Sequence, residues 1–399
     1  MHGVVKALVK PPLVVLTAGV AASLSACGSA ASVEHATHSF GAPSRDISTV
    51  LQTTWQSYAR TFITADGRVV DPHIGGNTTS EGQSYALLRA VWMDDRSTFD
   101  RVWTWTQMHL WQPEQRFAWL WNASGHVQDR SSATDADEDI ALALLFAANR
   151  WHDSTYRSAA LPVITGIWSE DVATVNGVPY LTAGNWAPQG DPAGPVLDPS
   201  YFAPYAYRIF AAADSSHDWA ALVRSSYRVL TSCSQTALGG TPATGLPPDW
   251  CVLDRNAGTV RPYSARSGGD DYGYDAFRVM WRTALDAVWN DSPNALSYLG
   301  SQSFLRSEWQ RRGALAAVYH HDGTPTTTYD DPTVYGGDIG AFIGDPGAAQ
   351  GILTDKLLAS LHEAGGVAYF GTADNYYEQN WVWFGLALGA GQLSDLAAG

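Results

Sequence analysis

A helix that is apolar around its whole circumference is stable only inside other protein, and residues 139–151 of this chain have that character. Helical spacing of apolar residues recurs at 47–62, 83–93, 98–110, 137–151, 156–168, 203–213, 219–230, 275–289, 303–318, 348–364 and 376–388. The intervening loops are rich in Gly, Pro, Asp and Asn, which end helices and form turns. Some of these helices are apolar nearly all round, whereas 219–230 keeps one polar face. Buried and amphipathic helices in alternation imply an all-α fold with an inner ring wrapped by an outer ring, an α/α barrel. A plain multi-helix bundle is the other arrangement that periodicity allows. No composition break follows residue 46, so residues 46–399 read as one domain. Hydrophobic residues make up 45% of the chain and charged residues 16%, enough for a large core and too few charges for a disordered chain.

Residues 1–26 read as a targeting segment. Lys6 and Lys10 give a positive start, residues 13–22 are apolar but too few to span a bilayer, and Leu24-Ser25-Ala26 precede Cys27. Small residues directly before a Cys are similar to a bacterial lipoprotein cleavage box, which makes Cys27 the expected lipidated N-terminus. An ordinary secretory signal cut nearby is the alternative. Both imply export, to the outer face of a membrane or beyond it. Residues 27–45, rich in Ser, Ala, Gly and His, read as a tether. In an exported protein the two remaining cysteines, Cys233 and Cys251, are expected to pair, with stabilisation of about 3 kcal/mol. Two buried free thiols are the alternative.

A net charge of −15 repels nucleic acid and anionic headgroups, so the expected membrane contact is the lipid anchor alone. The chain holds 17 Trp and 18 Tyr, side chains that fill cores and also stack on the apolar faces of sugar rings. No Cys/His spacing suggests a metal site, and neither cofactor nor oligomer is expected.

Three acidic segments stand at helix starts. Ser80-Glu81 precedes an apolar helix, where a hydroxyl caps and a carboxylate favours the first turn. Asp135-Ala136-Asp137-Glu138-Asp139 opens the most apolar helix of the chain, where four carboxylates are costly unless paired or used. An N-cap at Asp135, Arg pairing and divalent-cation binding are all open for this run, but it lacks the glycine and twelfth-position Glu of an EF-hand loop. The third segment, 268–278, joins flexible glycines to Asp275, with Arg278 one turn on to hold it by charge. Carboxylates from three helix starts can meet at one end of an α/α barrel, and two working carboxylates are the minimum for glycoside hydrolysis. A metal-dependent enzyme built on the Asp cluster is a competing reading.

The motifs Thr79-Ser80-Glu81-Gly82-Gln83, Ala133-Thr134-Asp135-Ala136-Asp137 with Ile140-Ala141 and Trp151, and Tyr274-Asp275-Ala276-Phe277-Arg278 resemble glycoside hydrolase family 8. Supporting segments are 66–71, 93–100, 197–201 and Gly245-Leu246-Pro247-Pro248-Asp249-Trp250. The resemblance runs over about residues 47–390. It implies an (α/α)6 barrel that hydrolyses a β-1,4-glucan such as cellulose internally, with inversion. Other β-glycans (mixed-linkage glucan, xylan, chitosan) are alternatives, as is a non-catalytic glycan-binding lipoprotein.

By the same resemblance Glu81 matches the general acid, Asp275 the general base and Asp135 the central carboxylate that holds the reactive sugar. A helix start lowers a carboxyl pKa while an acid at neutral pH needs it raised, so burial and the charge of Asp135 are expected to win at Glu81. Trp121, Tyr201, Tyr274 and Arg278 are the expected substrate contacts, and Trp103 and Trp105 are expected in the core. Asp198 stands where relatives often carry Asn.

Overall fold

The computed structural model describes residues 46–398. The signal segment, Cys27 and the tether lie outside the described residues. The helices are α1 (Ile47–Phe62), α2 (Ser80–Trp92), α3 (Arg96–His109), α4 (Thr134–Arg150), α5 (Ser154–Glu170), α6 (Pro204–Ala213) and α7 (Trp219–Gln235). They continue with α8 (Arg278–Asn290), α9 (Pro293–Gly300), α10 (Ser303–Arg312), α11 (Pro332–Asp338), α12 (Pro346–Ile352) and α13 (Tyr376–Gly389). Helices α2, α4, α6, α8, α11 and α13 form a closed inner ring in which each packs on the next and α13 returns to α2. Around it, α1 covers α13 and α2, α3 covers α2, α5 covers α4, α7 covers α6 and α9 covers α8. The π-helical turn Leu353–Leu357 that continues α12 covers α11 and α13. This is the (α/α)6 barrel that the resemblance implied.

Sequence explains which helix goes where. Every residue of α4 from Thr134 to Ala147 is buried, as the all-round apolar pattern requires. Outer helices instead bury one face; Asp46, Asp95, Asp153 and Asp218 accept backbone N–H groups at the starts of α1, α3, α5 and α7. Trp103 and Trp105 are buried in the core, as expected.

Periodicity misses α11 because its sequence, Pro-Thr-Val-Tyr-Gly-Gly-Asp, reads as a loop. The glycines are there for contact. A Cβ on Gly336 would lie 2.1 Å from the Trp381 carbonyl oxygen on α13, and one on Gly337 would lie 2.3 Å from the Phe277 ring. The inner ring closes at α11 only because these positions carry no side chain. Two expected helices end early: α10 stops at Arg312, where Gly313 takes a left-handed φ of 62°, and the stretch after Ser360 becomes a hairpin of Leu361–Ala364 with Val367–Phe370.

The expected disulfide is corrected: Cys233 and Cys251 are free, buried thiols. Cys233 sits in α7, where its thiol donates 3.4 Å to the Leu230 carbonyl, and Cys251 lies in the strand Cys251–Leu253. Burial pushes the Cys233 thiol up to about 12 and raises Cys251 as well, so neither is a ready thiolate.

Candidate active site

Three inner helices bring their N-terminal ends to one end of the barrel, and Glu81, Asp135 and Asp275 meet there. Glu81 lies in the first turn of α2, which Thr79 caps by accepting the Gly82 N–H. A strand pairing sets this entry, since Thr78 and Thr79 lie opposite Trp121 and Leu120. Tyr376, the first residue of α13, donates its hydroxyl to Glu81 Oε1 at 2.5 Å. Arg278 Nη1 donates to Glu81 Oε2 at 3.2 Å. Burial raises the Glu81 carboxyl to about 7, against the pull of Arg278 and with the help of the Asp135 charge. The expected conflict at this helix start is settled in favour of burial.

The acidic run of α4 points in several directions, as successive helical positions must. Asp135 faces the site and accepts from Arg278 Nη1 at 3.0 Å. Asp139, one turn deeper on the same face, takes both terminal nitrogens of Arg282 at 2.9 and 2.8 Å. Asp137 accepts the Phe117 N–H at 3.1 Å and lies beside Asp171. Burial, reinforced by the Asp171 charge, holds Asp137 protonated. Glu138 packs against Tyr207 and burial raises it well above the carboxylate range. One carboxylate of this run therefore reaches the site, and the others are internal.

Asp275 does not begin a helix. It lies in the turn before α8, which starts at Arg278, so side chains and not a helix terminus hold its charge. Arg278 Nη2 donates to Asp275 Oδ1 at 2.9 Å. Trp250 Nε1 and Arg266 Nη2 donate to Oδ2 at 2.8 and 3.0 Å. Because one guanidinium holds both Glu81 and Asp275, their bonded oxygens are at most about 8 Å apart.

Arg278 is the centre of this arrangement. It is 1% exposed and also lies 3.7 Å from Asp198, with its guanidinium 5.2 Å from the Tyr201 ring centroid. The expected substrate contact Arg278 is thus packed beneath the carboxyls, donating to Glu81, Asp135 and Asp275. Four carboxyls around Arg278, with Arg266 reaching only Asp275, cannot all ionise in a buried site. Asp198, fully buried and pushed up by burial and then by the Asp275 charge, keeps its proton, as Glu81 does near neutrality.

The aromatic candidates surround this centre unevenly. Trp121 packs edge-on against Trp105 beside the α2 entry, and Tyr201 packs edge-on against Trp250. Tyr274 is 36% exposed and donates to Asp331 at 2.6 Å. Trp186, 37% exposed, stacks on Trp250. Sequence reasoning assigned no role to Tyr376, Trp250, Arg266 or Asp249. The signal for two of them was the Pro248-Asp249-Trp250 run, which had been read only as a family mark. Among the described residues no group of three or more His, Cys, Asp or Glu side chains is arranged to hold a metal ion.

Comparison with known proteins places this geometry. Endoglucanase 2 of Ruminiclostridium josui is 31% identical over 261 residues, covering 62% of this chain and 52% of that protein. The chain spans about half the length of the first curated relatives it matches. Endoglucanase of Cellulomonas uda is 31% identical over 286 residues, covering 67% of this chain and 76% of its own. The solved structure of a β-1,3-1,4-glucanase from Paenibacillus sp. X4 shares the fold with a TM-score of 0.75 at 23% identity, over 90% of this chain and 97% of that one. The model for glycosyl hydrolases family 8 matches residues 34–307 and includes every carboxyl gathered around Arg278, so the chain belongs to that family.

Proposed function

We propose that this protein is an inverting, endo-acting glycoside hydrolase that cleaves a β-1,4-glucan such as cellulose. The observation that carries the reading is a pair of carboxyls bridged by one buried arginine, one of them raised by burial. Glu81 keeps its proton up to about pH 7, whereas Asp275 accepts hydrogen bonds from two guanidiniums and an indole N–H. Glu81 donates its proton to the glycosidic oxygen as the C1–O bond breaks. Asp275 takes a proton from a water that attacks C1 on the opposite face, so the product emerges with inverted configuration. Inversion needs about 6.5–9.5 Å between the two carboxyls, and the limit set by the shared guanidinium admits that spacing. Asp135, ion-paired to Arg278, holds the sugar between them. Trp121, Tyr201 and Tyr274 are the proposed sugar contacts.

Product profiles from carboxymethyl-cellulose, lichenan, xylan and chitosan, with the first-formed anomer read by NMR, test this. Short oligosaccharides of inverted configuration from carboxymethyl-cellulose are expected. Preferred release from another polymer moves the substrate to mixed-linkage glucan, xylan or chitosan, and binding without release leaves a glycan-binding protein. Export, with Cys27 lipidated, residues 27–45 as tether and 46–399 as a monomeric catalytic domain, is part of the proposal. The mass of the mature N-terminus checks it, since an unmodified Met1 would exclude processing.

A further inference from the structure

The loop that carries Asp275 is gripped by a side chain from a distant segment. One oxygen of Asp249, Oδ1, accepts the backbone N–H groups of Gly273, Asp275 and Ala276 at 3.1, 3.1 and 2.7 Å. Nearby backbone bonds fasten the same two segments: Asp249 N–H to the Asp271 carbonyl at 2.7 Å, and Trp250 N–H to the Gly269 carbonyl at 2.6 Å. The next side chain, Trp250, reaches the Asp275 carboxyl itself. Contact at the grip is close, for a Cβ on Gly273 would lie 2.8 Å from Asp249 Oδ2. Among the described residues Oδ2 takes no donor, so it is free to carry a proton while Oδ1 keeps its three bonds. Burial, with the Asp275 charge behind it, raises the Asp249 carboxyl to about 7, and the grip persists in either state.

We infer that Asp249 is a positioning residue: by collecting three consecutive-turn amides on one oxygen it fixes the backbone from which the Asp275 carboxylate is aimed. It touches neither substrate nor the attacking water. Placement at this level matters because a shift of about 1 Å in a reacting group costs about a hundredfold in rate. The inference rests on the reading of Asp275 as the base.

The test compares Asp249→Ala with Asp249→Asn in the full chain. Turnover is measured on carboxymethyl-cellulose, and amide hydrogen exchange at residues 273–276 is measured without substrate. In Asp249→Ala we expect kcat to fall about a hundredfold with KM within about twofold, and the three amides to lose protection. The amide oxygen of Asn can replace Oδ1, so Asp249→Asn is expected to restore protection and bring kcat within about tenfold of the parent. Parental kcat in Asp249→Ala overturns the inference, as does protection restored by Asn without recovery of kcat. If Asp249→Ala does not fold, Gly273→Ala replaces it, and unchanged kcat there overturns the inference equally. A parent chain that cleaves no β-glycan defeats the functional reading alone; unaltered exchange at the three amides of Asp249→Ala then defeats this one separately.

Discussion

Arg278 with Asp135 and Arg282 with Asp139 are the same pair of residue types on the same two helices, one turn apart, yet they differ in what surrounds them. The deeper pair is closed: Arg282 meets Asp139 through both terminal nitrogens and also the Tyr205 hydroxyl at 2.9 Å. One cation meets one anion through a two-pronged bond there, and the neighbouring Glu138 carboxyl is raised well above the carboxylate range by burial. At the upper level Arg278 faces Asp135, Glu81, Asp275 and Asp198, and only Asp275 has a further cation, Arg266, so carboxyls outnumber cations. Burial then forces some of them to hold protons, and Glu81 is raised to about 7. A buried ion pair is framework; the same pair with surplus carboxyls leaves one of them raised to about 7, as the proposed proton transfer needs.

The strongest way to break this contrast is Glu81→Gln. Cleavage is expected to fall about a thousandfold or more while oligosaccharide binding by calorimetry stays within a few-fold, and parental turnover would dissolve the distinction. Next, Arg282→Met leaves Asp139 buried and unpaired, so urea unfolding should show a loss of about 3–5 kcal/mol. Asp135→Asn should instead remove turnover and spare most of the stability. If both variants lose stability alike, the two levels are equivalent after all.

A pH profile sharpens the upper level. In the proposed role Glu81 must be protonated to act, so kcat should decline as pH rises through about 7, and Glu81→Asp should move that limb. The smallest effect concerns a carboxyl outside both levels. Asp171 is raised from 3.8 to about 7 by burial, so its ionisation disfavours the fold progressively as pH climbs between those values. Asp171→Asn removes that cost. Its melting temperature should exceed the parent's by about 2 °C at pH 8 and match it near pH 4, and the reverse order would refute the assignment.

Regular helices were legible because apolar spacing survives in the sequence whatever the partner helix is. That is why 47–62 was read with its true bounds and α4 within a turn. Helix α11 was not, since its glycines serve contact with Trp381 and Phe277 and look like breakers without those neighbours. Helix α9, Pro293–Gly300, is short and bounded by the same residue types that mark loops. In the site, Glu81, Asp135 and Asp275 were legible as motif positions, and the Arg278–Asp275 pair forms although the helix expected to start at Asp275 starts at Arg278. The bond from Tyr376 to Glu81 crosses 295 positions of sequence, and local pattern carries no trace of it. The cysteine pairing was inferred from export alone, whereas Cys233 in α7 and Cys251 in its strand are both free and buried.

The glycines of α11 constrain how this molecule can diverge. Side chains cannot be added at Gly336 or Gly337 without prising apart three staves of the barrel, so that sector admits almost no variation. Any retuning toward a bulkier or branched polymer has to be written into the rim segments above the staves, such as those bearing Trp121, Trp186 and Tyr274, while the wall beneath them stays as it is.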